Sequence, residues 1–225
     1  MQRRKHHSFI IIALIALSLF LIGYYAAPKL GLKGFTPVFF GMKKINENIY
    51  SQIQTTDFEE TNLKAVVDSA MDSIKVHFGS LKSKPYIIAC SDEACYRRFT
   101  GERSRGKTFF DFWIVLSPRG RNVMILTHEL THSEVHKRIG FYSTFFEIPT
   151  WLDEGYATWL SHDPRCVDSS GILEQWKTEN RNEKLKKIWK SQLKPNGLAY
   201  NFACFKFQQW YKTNGENGLR EVFKN

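Results

Sequence analysis

The chain has 225 residues, 43% of them hydrophobic and 24% charged, with a formal net charge of +10. That length supports one well-buried core, and that composition excludes a disordered or low-complexity protein. The basic residues are scattered along helical stretches, which is the pattern of a solvated surface rather than of a polyanion-binding stripe.

Ser8 to Pro28, SFIIIALIALSLFLIGYYAAP, carries no charge. About 20 apolar residues cross the hydrocarbon of a bilayer, so the run reads as a transmembrane helix. A cleaved signal peptide would have a shorter apolar region ending at small residues, and Tyr25 stands where a small residue is wanted. Arg3, Arg4 and Lys5 then hold the N-terminus in the cytoplasm by the positive-inside rule. The expectation is a single-pass membrane protein, its larger part facing the bacterial periplasm. Beyond the anchor 29 basic residues remain against 22 acidic, and no nucleic-acid partner is expected on that side. The expected division is residues 1–28 as basic flank and anchor, 29–56 as juxtamembrane linker and 57–225 as the folded domain.

The linker mixes Pro, Gly and short apolar runs without a sustained period. From Glu59 to Phe78, apolar residues from Leu63 to Ile74 recur at helical spacing until GSLKSKP ends the pattern. PYIIACSD follows as a short strand, DEACYRRFTG as a short helix, and TFFDFWIVLSPRG as a second strand. Helix returns from Asn122 to Arg138. Another begins near Trp151, where Thr150 and Asp153 have capping-box spacing after Pro149. A basic helix is expected over 174–192, and LAYNFACFKFQQWYKTNGENGL closes the chain with one more. Four cysteines allow three pairings; proximity favours Cys90 with Cys95 and Cys166 with Cys204.

The chemistry is concentrated in THELTHSEVHKRIGFYSTFFEIPTWLDEGYATWL, residues 127–160. His128 and His132 are four apart, so on a helix both rings lie on one face and reach one ion. Met124, Val135 and Ile139 share that lane, which therefore faces the interior. Glu129 is rotated about 100° from the first ring, the place of a general base beside a metal rather than of a ligand. Glu154, in the first turn of the next helix and separated from His132 by 21 residues, is positioned as a third ligand. Zinc with three protein ligands keeps a fourth position for water, the mark of a catalytic site.

HELTH followed by WLDEGYA resembles the gluzincin metallopeptidases, the thermolysin-like group, and is most similar to the small bacterial peptidase MA-like domains. The resemblance spans residues 57–225 and implies a Zn2+ enzyme that hydrolyses peptide or protein substrates. It makes His128, His132 and Glu154 the ligands and Glu129 the base, with Tyr200, at the opening of the closing helix, steadying the oxyanion. The chain departs from the thermolysin pattern at Asp153, where that group has Asn, and at Thr158, where it has Asp, so the support of the first histidine is open. The Gly-x-Met-Glu-Asn segment of the large aminopeptidases is absent, which disfavours an exopeptidase. FDFWIVL is the segment expected to hold substrate by edge pairing.

Other signals point elsewhere. GERSRGKT, Gly101 to Thr108, matches the phosphate-loop pattern literally, but helix precedes it and strand follows, the reverse of what aims backbone amides at phosphate; no nucleotide is expected. His136 continues the one-turn spacing, yet Val135 and Arg138 occupy the positions where metzincins have Gly and His. The rival function class is an anchored zinc-containing binding or scaffold protein without turnover; its signature is a missing base, and Glu129 is present. The fold class expected is α+β: an N-terminal transmembrane helix, then a compact zincin-like metallopeptidase domain with a small β-sheet and a zinc-binding helix pair.

Overall fold

The computed structural model describes residues 11–21, 32–166 and 198–223. Its strands are β1 (Met42–Asn46), β2 (Ile49–Gln52), β3 (Tyr86–Ala89), β4 (Gly106–Phe109) and β5 (Trp113–Leu116). They form one sheet in the order β1-β2-β3-β5-β4. The three central strands run parallel, while β1 and β4 are antiparallel to their neighbours at the two edges. The helices are α1 (residues 11–21), then α2 (Asp57–Phe78), α3 (Glu93–Thr100), α4 (Val123–Phe146), α5 (Thr150–Leu160) and α6 (Leu198–Phe223). The class is α+β with a small mixed sheet.

Central β3 reads Tyr-Ile-Ile-Ala because both faces of the sheet are covered. Ile87 joins Leu63, Ile74, Leu126 and Tyr156 in the main core, whereas Ile88 joins Tyr96, Phe99 and Val115 in a second cluster under α3. Helix α2 starts at Asp57, two residues before the expected Glu59, because Thr56 and Glu59 form a reciprocal capping box. It buries Leu63, Val67, Ala70 and Ile74 and stops at Gly79, whose φ of 71° suits glycine. Helix α4 is broken at Gly140, with φ 82° and ψ 170°, close to the expected end at Arg138.

Several expectations are corrected. Of the uncharged N-terminal run, the described part is α1, residues 11–21, an exposed helix. No helix among the described residues is long and apolar enough to cross a membrane. The transmembrane helix, and with it the single-pass location facing the periplasm, is therefore not supported; residues 8–10 and 22–28 lie outside the described residues. The stretch read as a linker, 29–56, contributes β1 and β2 to the sheet. The second strand candidate is a hairpin, β4 and β5, turning at Phe110, which has φ 55°. Because β5 is paired on both sides, the strand at the edge is β4, not the FDFWIVL segment. The expected basic helix over 174–192 lies outside the described residues. Both favoured disulfides are present, with Cα–Cα separations of 5.6 Å for Cys90–Cys95 and 5.5 Å for Cys166–Cys204.

One buried ion pair ties α4 to the loop after α2. Glu134 accepts from the backbone N–H groups of Lys82 and Ser83, at 2.9 and 2.8 Å. Arg138 Nε donates to the same carboxylate at 2.8 Å, with both side chains almost fully buried. Removing one member of such a pair leaves the other charge uncompensated. Glu134→Ala is expected to lower unfolding free energy by about 3–5 kcal/mol in urea titrations, and a change under about 1 kcal/mol would contradict this account of the helix anchor.

Candidate metal centre

Asn122 caps α4 by accepting from Ile125 N–H at 3.0 Å, and the next three turns are buried on every side. Every residue from Ile125 to Val135 is buried, so polar groups among them require partners. The rings of His128 and His132 lie edge to face, 4.8 Å apart, and their Nε2 atoms approach to 3.1 Å. Glu154 Oε2, on α5, lies 3.4 Å from each of those nitrogens.

These three separations suit one ion. Ligand bonds of about 2.0–2.1 Å at tetrahedral angles place donor atoms roughly 3.3–3.4 Å apart. Glu154 Oε2 is buried without a well-formed hydrogen bond, and two lone-pair nitrogens beside a carboxylate oxygen repel one another unless a cation or protons lie between them. The buried His/Glu group can therefore hold a metal ion.

Helix α5 follows Pro149, whose carbonyl accepts from Leu152 and Asp153 N–H. The expected capping box of Thr150 with Asp153 does not form: Pro149 is the cap residue and no side chain caps the helix. Asp153 is turned inward instead, with Oδ1 2.9 Å from His132 Nδ1 and Oδ2 3.2 Å from His136 Nε2. Two buried imidazoles attract a carboxylate more strongly than a half-exposed helix terminus does. Asp153 thus supports the second histidine, and His132, His136 and Asp153 form a further cluster of potential donors. On the first histidine, Nδ1 is buried with no hydrogen bond among the described residues, and the buried Thr158 hydroxyl is likewise unpartnered.

Glu129 stands beside the donor set but outside it. Its Oε2 lies 2.7 Å from the Thr108 hydroxyl on β4, which is also 2.9 Å from the Glu129 carbonyl. Gly106 makes this packing possible, since a Cβ there would come within 2.7 Å of the Glu129 side chain. Gly155 is the close-approach glycine of α5, but it faces α6 at Ala203 and Phe207, not α4.

Tyr200 projects from α6 toward the same place, its ring 5.9 Å from that of His128. Burial raises its phenol well above the ordinary value, Glu154 adds to the effect and Arg165 opposes it. The Arg165 guanidinium lies 3.8 Å over the tyrosine ring and pairs with buried Asp163. Asn201 donates to the Arg165 carbonyl at 2.9 Å, and the Cys166–Cys204 disulfide fixes the same strap to α6. The structure therefore gathers all five residues singled out from the sequence, His128, Glu129, His132, Glu154 and Tyr200. Sequence reasoning missed Thr108, Arg165 and the inward turn of Asp153; only the last left a local signal, a carboxylate adjacent to a candidate ligand. Comparison with protein-family models, curated proteins and solved structures gives no match.

Electrostatics decide how the site takes up a cation. Burial disfavours charge on His132, yet the Asp153 and Glu154 carboxylates outweigh it and raise the ring well above its ordinary pKa. A raised pKa means that the metal-free ring keeps its proton through neutral pH, so metal uptake at Nε2 must release that proton. Divalent-metal affinity is expected to fall as pH drops below the raised value, with proton release measurable by calorimetry in buffers of different ionisation enthalpy. His132→Ala and Glu154→Ala are expected to lose stoichiometric metal, Glu129→Gln to keep it, and Asp153→Asn to weaken binding about 10–100-fold. Metal analysis after dialysis reads all four, and full retention by His132→Ala would contradict the assignment.

Proposed function

We propose that the protein is a zinc metallopeptidase that hydrolyses peptide bonds, as the gluzincins it resembles do. The observation that carries this reading is the near-tetrahedral spacing of His128 Nε2, His132 Nε2 and Glu154 Oε2, with another carboxylate, Glu129, close by and outside the set. Two imidazoles and one carboxylate are a donor set suited to zinc, and three protein ligands leave a position for water or substrate. Bound there, zinc would supply a Lewis acid for the scissile carbonyl and acidify a water molecule.

The chain's own residues do the rest. Thr108 holds Glu129 through Oε2, which leaves the other carboxylate oxygen to accept a proton from water and pass it to the departing amine nitrogen. Tyr200, kept protonated by burial, donates a hydrogen bond to the carbonyl oxygen as charge develops on it. Strand β4, at the sheet edge beside Glu129, offers main-chain groups to an extended peptide.

With the full chain loaded with zinc and a quenched fluorescent peptide mixture as substrate, Glu129→Gln is expected to lower kcat by at least about 100-fold while metal content is unchanged. Tyr200→Phe is expected to lower kcat on the order of 10²-fold with little change in KM. Hydrolysis that survives Glu129→Gln, or that persists after chelation, would end the reading.

A further inference from the structure

Two chemically different surfaces flank Glu129 along the open edge of β4. Among the described residues no strand pairs with the outer side of β4. At its entry, Arg103 and Arg105 are exposed and have no ion pair among the described residues, whereas neighbouring Lys107 is paired with Glu102. Gly106 packs on the Glu129 side chain, so Arg105 and Arg103 lie one and three residues along the chain from the point where β4 meets Glu129.

At the other end the surface is aromatic. Phe110 stacks on His136 at 6.1 Å and meets Phe112 at 5.3 Å and Phe141 at 5.5 Å. Phe141 and Phe145 remain 60% and 50% exposed although they are packed together at 4.6 Å. Isolated exposed apolar residues are ordinary, but a contiguous patch of rings is a recognition surface. The patch joins the metal centre directly: Phe110 O lies 3.4 Å from His136 Nδ1, and the His136 ring stacks 5.8 Å from that of His132. Two ring spacings are about 12 Å, or three to four residues of extended chain at about 3.3 Å each.

We infer that the edge of β4 selects an extended peptide with large apolar side chains on one side of the scissile bond and acidic side chains on the other. Antiparallel pairing, the stronger mode per residue, runs the peptide from the phenylalanine end of β4 to the arginine end. The apolar residues then lie N-terminal to the scissile bond and the acidic residues C-terminal to it. Charge complementarity with Arg103 and Arg105, and continuity of the rings with the metal centre, favour this occupant over a lipid surface or a second copy of the chain. The inference rests on the peptidase reading, and binding separates the two.

The test uses the full chain carrying Glu129→Gln, loaded with zinc, and fluorescein-labelled peptides read by anisotropy. The apolar-then-acidic peptide is expected to bind on the order of tenfold tighter than its reversed-order or uncharged counterparts. Phe141→Ser with Phe145→Ser should remove the apolar part of that preference and Arg103→Glu with Arg105→Glu the acidic part, with circular dichroism unchanged in these surface variants. Equal binding of all peptides, or tighter binding of the reversed order, overturns the inference even where the parent protein hydrolyses peptides. Preferential binding without hydrolysis by the parent supports the surface and contradicts only the peptidase reading. Loss of phosphatidylcholine–phosphatidylglycerol vesicle binding, or of self-association in sedimentation, as the sole effect of the phenylalanine variants also overturns it.

Discussion

Three electron-rich atoms are forced to within 3.1–3.4 Å of one another inside a buried helix pair, and most of the surrounding architecture serves that constraint. Such a cluster is unfavourable in a low-dielectric interior unless positive charge sits among its members. In the metal-free chain His132 supplies that charge as a proton, held by Asp153 and Glu154. A divalent ion meets the same need with more charge and a fixed geometry, so metal binding and local stability are linked.

The helices are arranged to hold those atoms without slack. Helix α4 is buried on every side through the motif and is pinned further along by the Glu134–Arg138 pair. Helix α5 brings Glu154 to the rings on one side and seats Gly155 against the Ala203 carbonyl of α6 on the other. Helix α6 in turn places Tyr200 beside His128, under a guanidinium tethered by the Cys166–Cys204 bridge. On the opposite flank, a glycine and a threonine of β4 admit and hold the Glu129 carboxylate.

What the sequence discloses about this site follows from how local each relation is. His128 and His132 are legible because a four-residue spacing on a helix has one geometric outcome, and Glu154 because a proline and a fresh apolar period mark where α5 must start. Asp153 has the spacing of a capping residue, and the competing attraction, two imidazoles on α4, is not visible in its own segment. β1 and β2 look like linker in sequence because strands of five and four residues have too short a period to register without their partners. GERSRGKT matches a phosphate-loop pattern in spacing alone, while its Gly106 packs against Glu129 and its Thr108 donates to that carboxylate. Arg165 over Tyr200 depends on a disulfide between residues 38 apart, a contact no local pattern encodes. The membrane expectation rests on an uncharged run alone, and no helix among the described residues is long and apolar enough to cross a bilayer.

The most direct test of the central claim is the coordination sphere itself, read by anomalous diffraction and X-ray absorption on zinc-loaded protein. The account requires one ion bound by His128 Nε2, His132 Nε2 and Glu154 at about 2.0–2.2 Å, with a non-protein oxygen completing the tetrahedron. An ion bound elsewhere, rings and carboxylate turned apart, or a fourth protein atom closing the sphere would contradict it.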